Sequence, residues 1–252
     1  MRALIGHTGF VGGNLVRAGR YDALFNSSNS ESMRGGHFEE VVCAGISAVK
    51  WKANKEPETD RAAIDVLVDN LKHLTADRFV LLSTTDVYQP ALGVTERDPA
   101  SSAGAPYGAH RAAFERFVAE TFANHLIIRL PALYGRGLKK NAIFDLRYDN
   151  MVDAIDPRGS FQWYDVRRLE RDIAAITEAN LTLVNIAPEP VTMSAIAERF
   201  FPGKLREADP SRPAASYDMR TIHAGVLGGT GPYHFDRESV LNGIGSYLES
   251  GE

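Results

Sequence analysis

Arg2-Ala-Leu-Ile-Gly6-His-Thr-Gly9-Phe-Val-Gly12-Gly-Asn-Leu15 is the stretch that decides the fold. A short apolar run enters a turn with glycine at every third position, and Leu15 and Val16 continue it at helical spacing. Each glycine has its own physical task. Gly6 permits the tight turn, Gly9 lets a pyrophosphate approach the backbone, and Gly12 allows close packing of helix on strand, with the helix N-terminus facing the anion. GxxGxxG alone is a weak signal, but directly after a first strand it predicts a dinucleotide-binding turn. His7, inside the motif, reads as a loop residue rather than an acid-base group.

Beyond this turn, short apolar runs alternate with helix-period segments, the pattern of a parallel sheet covered by helices. Residues 2–5, 23–25, 40–43, 79–82 and 126–129 read as strands, with a sixth at 181–186. Ile64, Leu67, Val68, Leu71 and Leu74 make residues 60–75 an amphipathic helix, and Phe114, Phe117, Val118 and Phe122 do the same for 107–123. Thr192 and Asp236 are candidate N-caps, the first for a helix anchored by Ile196 and Phe200, the second for a helix over 237–249. Residues 131–165 and 200–235 carry more glycine, proline and charge, break the alternation, and are expected to build a substrate side.

Composition narrows the function classes. The chain has 252 residues, 44% of them apolar, and 28 basic against 32 acidic side chains, a net charge of −4. That length allows one large α/β domain or one domain with an appendage. Scattered basic residues offer no stripe for nucleic acid, and no apolar run is long enough to span a membrane, so a cytoplasmic protein is expected. Cys43 is the only cysteine, which excludes a disulfide framework and a cysteine-built zinc site. Its apolar run Val41-Val-Cys43-Ala44 predicts a buried structural thiol. The seven histidines show no ligand spacing, so no metal is expected.

NAD-binding turns usually place a carboxylate about 20 residues beyond the glycines, to bind the ribose hydroxyls. Here Asn26-Ser27-Ser28 holds that place. A neutral strand end would not repel a 2′-phosphate, and Arg34 is near enough in sequence to pair with one, so the cofactor is read as NAD(P) with a lean to NADP. In the alternative, Asn26 and Ser27 simply form a turn.

Leu82-Ser83-Thr84-Thr85-Asp86-Val87-Tyr88, Pro106-Tyr107-Gly-Ala-His-Arg111 and Arg129-Leu-Pro-Ala-Leu-Tyr-Gly135 complete the set of motifs. With the glycine turn, they give a chain that resembles extended short-chain dehydrogenase/reductases of the nucleotide-sugar epimerase/dehydratase type over nearly its whole length. The resemblance implies a Rossmann-type, doubly wound parallel sheet with a small, trimmed C-terminal substrate region. The dinucleotide domain would comprise residues 1–130 plus about 165–187, and the substrate region 131–164 plus 188–252. It also implies Thr84 as the group that hydrogen-bonds the reacting sugar oxygen and Tyr107 as the acid-base group. Expected cofactor contacts are Gly6, Thr8, Gly9, Phe10, Val11, Gly12, Asn26, Ser27, Ala44, Gly45, Ser83, Tyr107, Arg111 and Leu130. The implied partner is a sugar or nucleotide sugar, and helices 60–75 and 107–123 are expected to form a homodimer interface.

The spacing of Tyr107 and Arg111 carries its own argument. At i and i+4 they share a helical face, and a fixed cation beside a phenol lowers its pKa toward working pH, readying it to exchange a proton with a carbinol. An ordinary pair at a helix N-terminus is the competing reading. The sequence also departs from the pattern it resembles. Arg111 stands where a lysine is usual, and arginine keeps the charge but passes on no proton. Asp86 and Thr85 replace a glutamate and an aspartate of the dehydratases, and Ala132 replaces an asparagine of many epimerases. These departures feed a rival reading, a non-catalytic NAD(P)-binding sensor or interaction module.

Thr85, Asp86, Lys139, Lys140, Asn141 and Arg220 are the candidate substrate contacts, the lysines and Arg220 for a phosphate, with a solvated loop as the equal alternative for Lys139-Lys140-Asn141. In Lys50-Trp51-Lys52, Trp51 reads as a packed loop side chain, with a cover over the ligand as the alternative.

Overall fold

The computed structural model describes every residue except Ser102, Arg212 and Glu252, so Arg212, in the predicted substrate segment 200–235, lies outside the described residues. The chain begins β1 (Arg2–Ile5), α1 (Phe10–Ala18), β2 (Ala23–Phe25), β3 (His37–Cys43), α2 (Lys50–Lys55), α3 (Pro57–Leu71) and β4 (Thr75–Thr84). It continues through β5 (Leu92–Val94), α4 (Pro106–Thr121), β6 (His125–Leu130), β7 (Ala132–Tyr134), α5 (Ala142–Tyr148), β8 (Ser160–Phe161) and β9 (Trp163–Asp165). The last elements are α6 (Leu169–Glu178), β10 (Leu183–Asn185), β11 (Val191–Thr192), α7 (Met193–Phe200), β12 (Asp218–Met219) and α8 (Arg237–Glu249).

Six strands form one parallel sheet in the order β2-β1-β3-β4-β6-β10. Its strands are apolar on both sides because both faces are covered. Ala3, Ile5, Val41, Cys43, Phe79, Leu81 and Ile127 meet α3 and α4 through Ile64, Leu67, Phe114 and Val118. The alternate residues Leu4, Val42, Val80, Leu126 and Ile128 meet α1 and α6 through Leu15, Ile173 and Ile176. A third apolar cluster joins Tyr134, Ile143, Trp163, Ile196 and Ile244, from α5, α7, α8 and the short strands β7 and β9. Burial pushes the Cys43 thiol up to about 12, as expected of a structural cysteine.

In the usual dinucleotide-binding order, 3-2-1-4-5-6, a third strand lies outside the second. Here the strand after β2 returns directly beside β1, and the intervening residues hold one turn of 3-10 helix, Ser30–Met33. β2 is therefore an edge strand of only 3 residues.

Both predicted N-caps form: Thr192 accepts from the Ala195 amide and Asp236 from the Ser239 amide. The helix predicted over 60–75 needs correction. α3 starts at Pro57, which suits a first helical turn, with Glu58 and Asp60 beside its positive end. It ends at Leu71 because the polar run Thr75-Ala-Asp-Arg78 pairs with β3, while Leu74 reaches the core from the connecting turn. Likewise α4 ends at Thr121, but Phe122 still stacks on Phe79, with ring centroids 4.1 Å apart.

Candidate active site

The three glycines of the turn have three different surroundings. Gly6 has φ +89°, and a Cβ there would meet the Ala44 carbonyl oxygen at 2.3 Å; a Cβ at Gly12 would meet the Gly6 carbonyl oxygen at 2.1 Å. Gly9 has room, since its Cβ would approach only the Gly6 oxygen, at 3.4 Å. No side chain caps α1, so its first-turn amides are left for an external acceptor. This cradle, open at Gly9 and closed at Gly6 and Gly12, fits a pyrophosphate. His7 is a loop residue whose Nδ1 lies 3.0 Å from the Phe25 carbonyl oxygen.

Beside the turn, at the C-terminal ends of the strands, lies a cavity of about 130 Å³. Val11 from α1, Ala44 after β3, Ser83 and Thr84 at the end of β4, Tyr107 and Arg111 from α4, and Leu130 at the end of β6 all line it. Seven expected functional residues from five separate segments thus converge on one cavity. Parallel strands deliver their C-termini to one edge, which is where open α/β sheets bind ligands. A larger cavity, of about 350 Å³ between Arg168 and residues 227–239, contains none of them.

Tyr107 is set in place from several sides. Its backbone amide donates to Asn54 Oδ1 on α2, at 2.9 Å. A Cβ on the next residue, Gly108, would fall 2.0 Å from the Asp86 carbonyl oxygen, so only glycine lets α4 seat on the turn after β4. Two helical turns further on, buried Glu115 accepts from Ser83 Oγ at 2.5 Å and from Arg129 Nη2 at 2.6 Å, fastening α4 to β4 and β6. The Ser83 hydroxyl is therefore bonded to Glu115, while the residue itself lines the cavity.

The electrostatics correct the sequence argument about Tyr107. The Arg111 guanidinium stacks over the ring, 4.0 Å from its centroid, and does lower the phenol's pKa. Burial is the larger influence and Asp86 adds to it, so the phenol ends above its ordinary value. Arg111 also spends four of its five N–H donors within the protein, on both Asp60 oxygens at 2.5 and 2.8 Å, the Ser47 carbonyl at 2.7 Å and the Tyr107 carbonyl at 3.1 Å. Burial would raise the Asp60 carboxyl, but hydrogen bonds from Arg111 and His110 outweigh it and hold the group below the usual carboxylate range.

The remaining candidates divide. Asp86 is near enough to act on the Tyr107 phenol and pairs with Lys50 Nζ at 2.5 Å, while Lys140 Nζ reaches the cavity rim by donating to the Ala48 carbonyl at 2.9 Å. Lys139 is exposed. Asn141 is spent on structure: its oxygen caps α5 through the Phe144 amide and its nitrogen donates to the Leu133 carbonyl. Arg220 lies exposed against Asp218, outside the cavity lining. The Thr85 hydroxyl is buried and has no hydrogen-bond partner among the described residues.

Asn26 forms an Asx turn, its oxygen accepting from the amide and hydroxyl of Ser28. Arg34 is held by Asp69 and Asn70 of α3 rather than turned toward the end of β2. Trp51 is 66% exposed rather than packed. Lys50, Asp60 and Glu115 are the polar residues of the site that sequence reasoning missed. Their partners lie 36, 51 and 32 residues away, beyond any local spacing rule.

An uncapped glycine turn beside a tyrosine-bearing cavity at the strand ends places the candidate site where open α/β sheets bind ligands. A sequence profile of the NAD dependent epimerase/dehydratase family matches residues 22–156. The chain belongs to that family. No curated protein sequence matches at a significant level. Among solved structures, dTDP-4-dehydrorhamnose reductase from Yersinia enterocolitica aligns at a TM-score of 0.74 and 14% identity, over 99% of this chain and 98% of that one. UDP-glucuronic acid 4-epimerase from Bacillus cereus, in complex with UDP-glucuronic acid and NAD, aligns at 0.73 and 16%, over the whole of both chains. TunA, an NAD-dependent NDP-hexosamine 5,6-dehydratase, aligns at 0.72 and 18%, over 98% and 96%. At these identities the likeness is one of fold. Among the described residues no helix is long and apolar enough to cross a membrane, and no group of histidine, cysteine and carboxylate side chains could hold a metal ion.

Proposed function

We propose that the protein is an NAD(P)-dependent oxidoreductase or epimerase acting on a sugar, most naturally a nucleotide-linked one. The observation that carries this reading is the single cavity in which Thr84, Tyr107 and Arg111 meet beside the glycine turn. The first-turn amides of α1, Val11, Ala44 and Leu130 would hold the dinucleotide, which when bound supplies hydride chemistry at its nicotinamide. Thr84 would hydrogen-bond the reacting oxygen, and its own hydroxyl interacts with the Tyr107 phenol.

Because the phenol's pKa is raised, Tyr107 stays protonated through neutral pH and is set to give a proton to a carbonyl oxygen. The reverse direction, in which it must accept a proton, should quicken as pH rises toward the phenol's pKa. With Arg34 tied to α3, a preference for NADP rests only on the missing carboxylate at Asn26 and Ser27. A homodimer through α3 and α4 is supported by the exposed Val66 of α3.

The rival reading, a binding module without turnover, draws on the Asp60 clamp, which takes up two of the Arg111 donors and holds the guanidinium in place. A panel of nucleotide sugars incubated with NAD and NADP, followed by nicotinamide absorbance and sugar NMR, separates the two. Turnover that falls 10²- to 10⁴-fold in Tyr107→Phe with cofactor affinity kept supports the enzyme. Tight dinucleotide binding with no turnover of any panel member supports the module.

A further inference from the structure

Three charged side chains act on the Tyr107 phenol: Arg111, Asp86 and Lys50. Arg111 is buried and fixed by a two-pronged pair with Asp60, so its influence is partly cancelled. Lys50 differs in each respect. It opens α2 on the loop after β3, and its side chain is 44% exposed. Its ammonium donates to Asp86 Oδ1 at 2.5 Å and to the Tyr217 hydroxyl at 3.0 Å. Asp86 is in turn held to the reacting end of the site, its amide donating to Thr84 Oγ1 at 3.2 Å and its carbonyl lying under Gly108. A chain of contacts thus runs from Tyr107 through Thr84 and Asp86 to Lys50, and Tyr217 closes it from the segment before β12.

We propose that Lys50 is a positioning residue that sets the ionisation of Tyr107, supplying the positive charge that balances Asp86. Without Lys50, Asp86 would act on the phenol as an uncompensated anion. The groups around Tyr107 make this balance explicit: Lys50 from α2, Asp86 after β4 and Arg111 from α4 act on it directly, Asp60 from α3 and His110 pair with each other and Asp60 with Arg111, and the Tyr217 phenol touches Lys50 and Asp86. The Arg111 charge answers Asp60, and the Lys50 charge answers Asp86. Hydrogen bonds to Asp86 and Tyr217 outweigh the effect of burial and raise the Lys50 pKa, so the cation persists at neutral pH. The inference rests on Tyr107 being the acid-base group of the proposed function.

The test needs no substrate, so its failure is distinct from failure of that function. With 3,5-difluorotyrosine incorporated at position 107, a phenol that ionises nearer neutrality, fluorine NMR reads the titration directly. Lys50→Met should raise the midpoint by about one pH unit, Lys50→Arg should leave it within about 0.3 unit, and Asp86→Asn should lower it. Lys50→Gln serves as a second neutral variant should Lys50→Met fold poorly. A neutral variant that moves the midpoint by less than about 0.3 unit, or a Lys50→Arg variant that moves it as far as Lys50→Met, overturns the proposal.

Discussion

Adding one methyl group at Gly9 or at Gly12 should have opposite consequences, because the two positions face different neighbours. At Gly9 a Cβ meets the protein only at 3.4 Å, and the backbone there has φ −77°, ordinary for alanine. Alanine caps a helix less well than glycine, but it also restricts the unfolded chain, and the two effects of up to about 1 kcal/mol oppose each other. Gly9→Ala should therefore melt close to the parent protein. The methyl would instead stand between a pyrophosphate and the first-turn amides of α1. Losing one hydrogen bond to a charged group costs about 1.5–3 kcal/mol, or roughly 10- to 150-fold in Kd. At Gly12 the same Cβ lies 2.1 Å from a backbone oxygen, and neither strand turn nor helix can yield cheaply. Gly12→Ala should lose at least about 1–3 kcal/mol of stability. Calorimetric titration with NADH and NADPH, beside thermal unfolding of both variants, measures the contrast. A Gly9→Ala protein that binds both dinucleotides as tightly as the parent would refute the assignment of this turn.

Glu115→Gln should be among the more damaging substitutions, at about 3–5 kcal/mol, because it leaves the buried Arg129 charge uncompensated; chemical denaturation reads this directly, and a loss below about 1 kcal/mol would mean that the pair does not hold α4 to the sheet. His234 gives a pH test: burial pushes its pKa down to about 4, and its Nδ1 accepts from the Ala187 amide. The unfolded imidazole takes its proton near 6.5, so the stability held by the neutral ring is complete above that pH and is lost between 6.5 and 4, by about 3 kcal/mol. His234→Asn, which keeps an acceptor for that amide, should flatten the stability profile over this window.

Local order was legible in the sequence wherever the signal was itself local. The glycine spacing named three positions with three distinct environments, alternating apolar runs named the six strands of the main sheet, and single side chains named the caps at Thr192 and Asp236. Strand order was not legible, since the return of β3 directly beside β1 depends on what a short connection can span and cover. The convergence of Val11, Ala44, Thr84, Tyr107, Arg111 and Leu130 on one cavity followed from parallel strands sharing an edge, but the sign of the Tyr107 shift did not. Seen along the chain, Arg111 is simply a cation one turn from a phenol. Only the folded protein brings Asp60 across to engage that cation and buries the phenol beside Asp86, because burial and ion pairing depend on segments some 50 residues apart reaching the same few ångströms. Asn141 and Arg220 are engaged by partners close in sequence, the Leu133 carbonyl and Phe144 amide for the first and Asp218 for the second, contacts that residue type alone does not reveal.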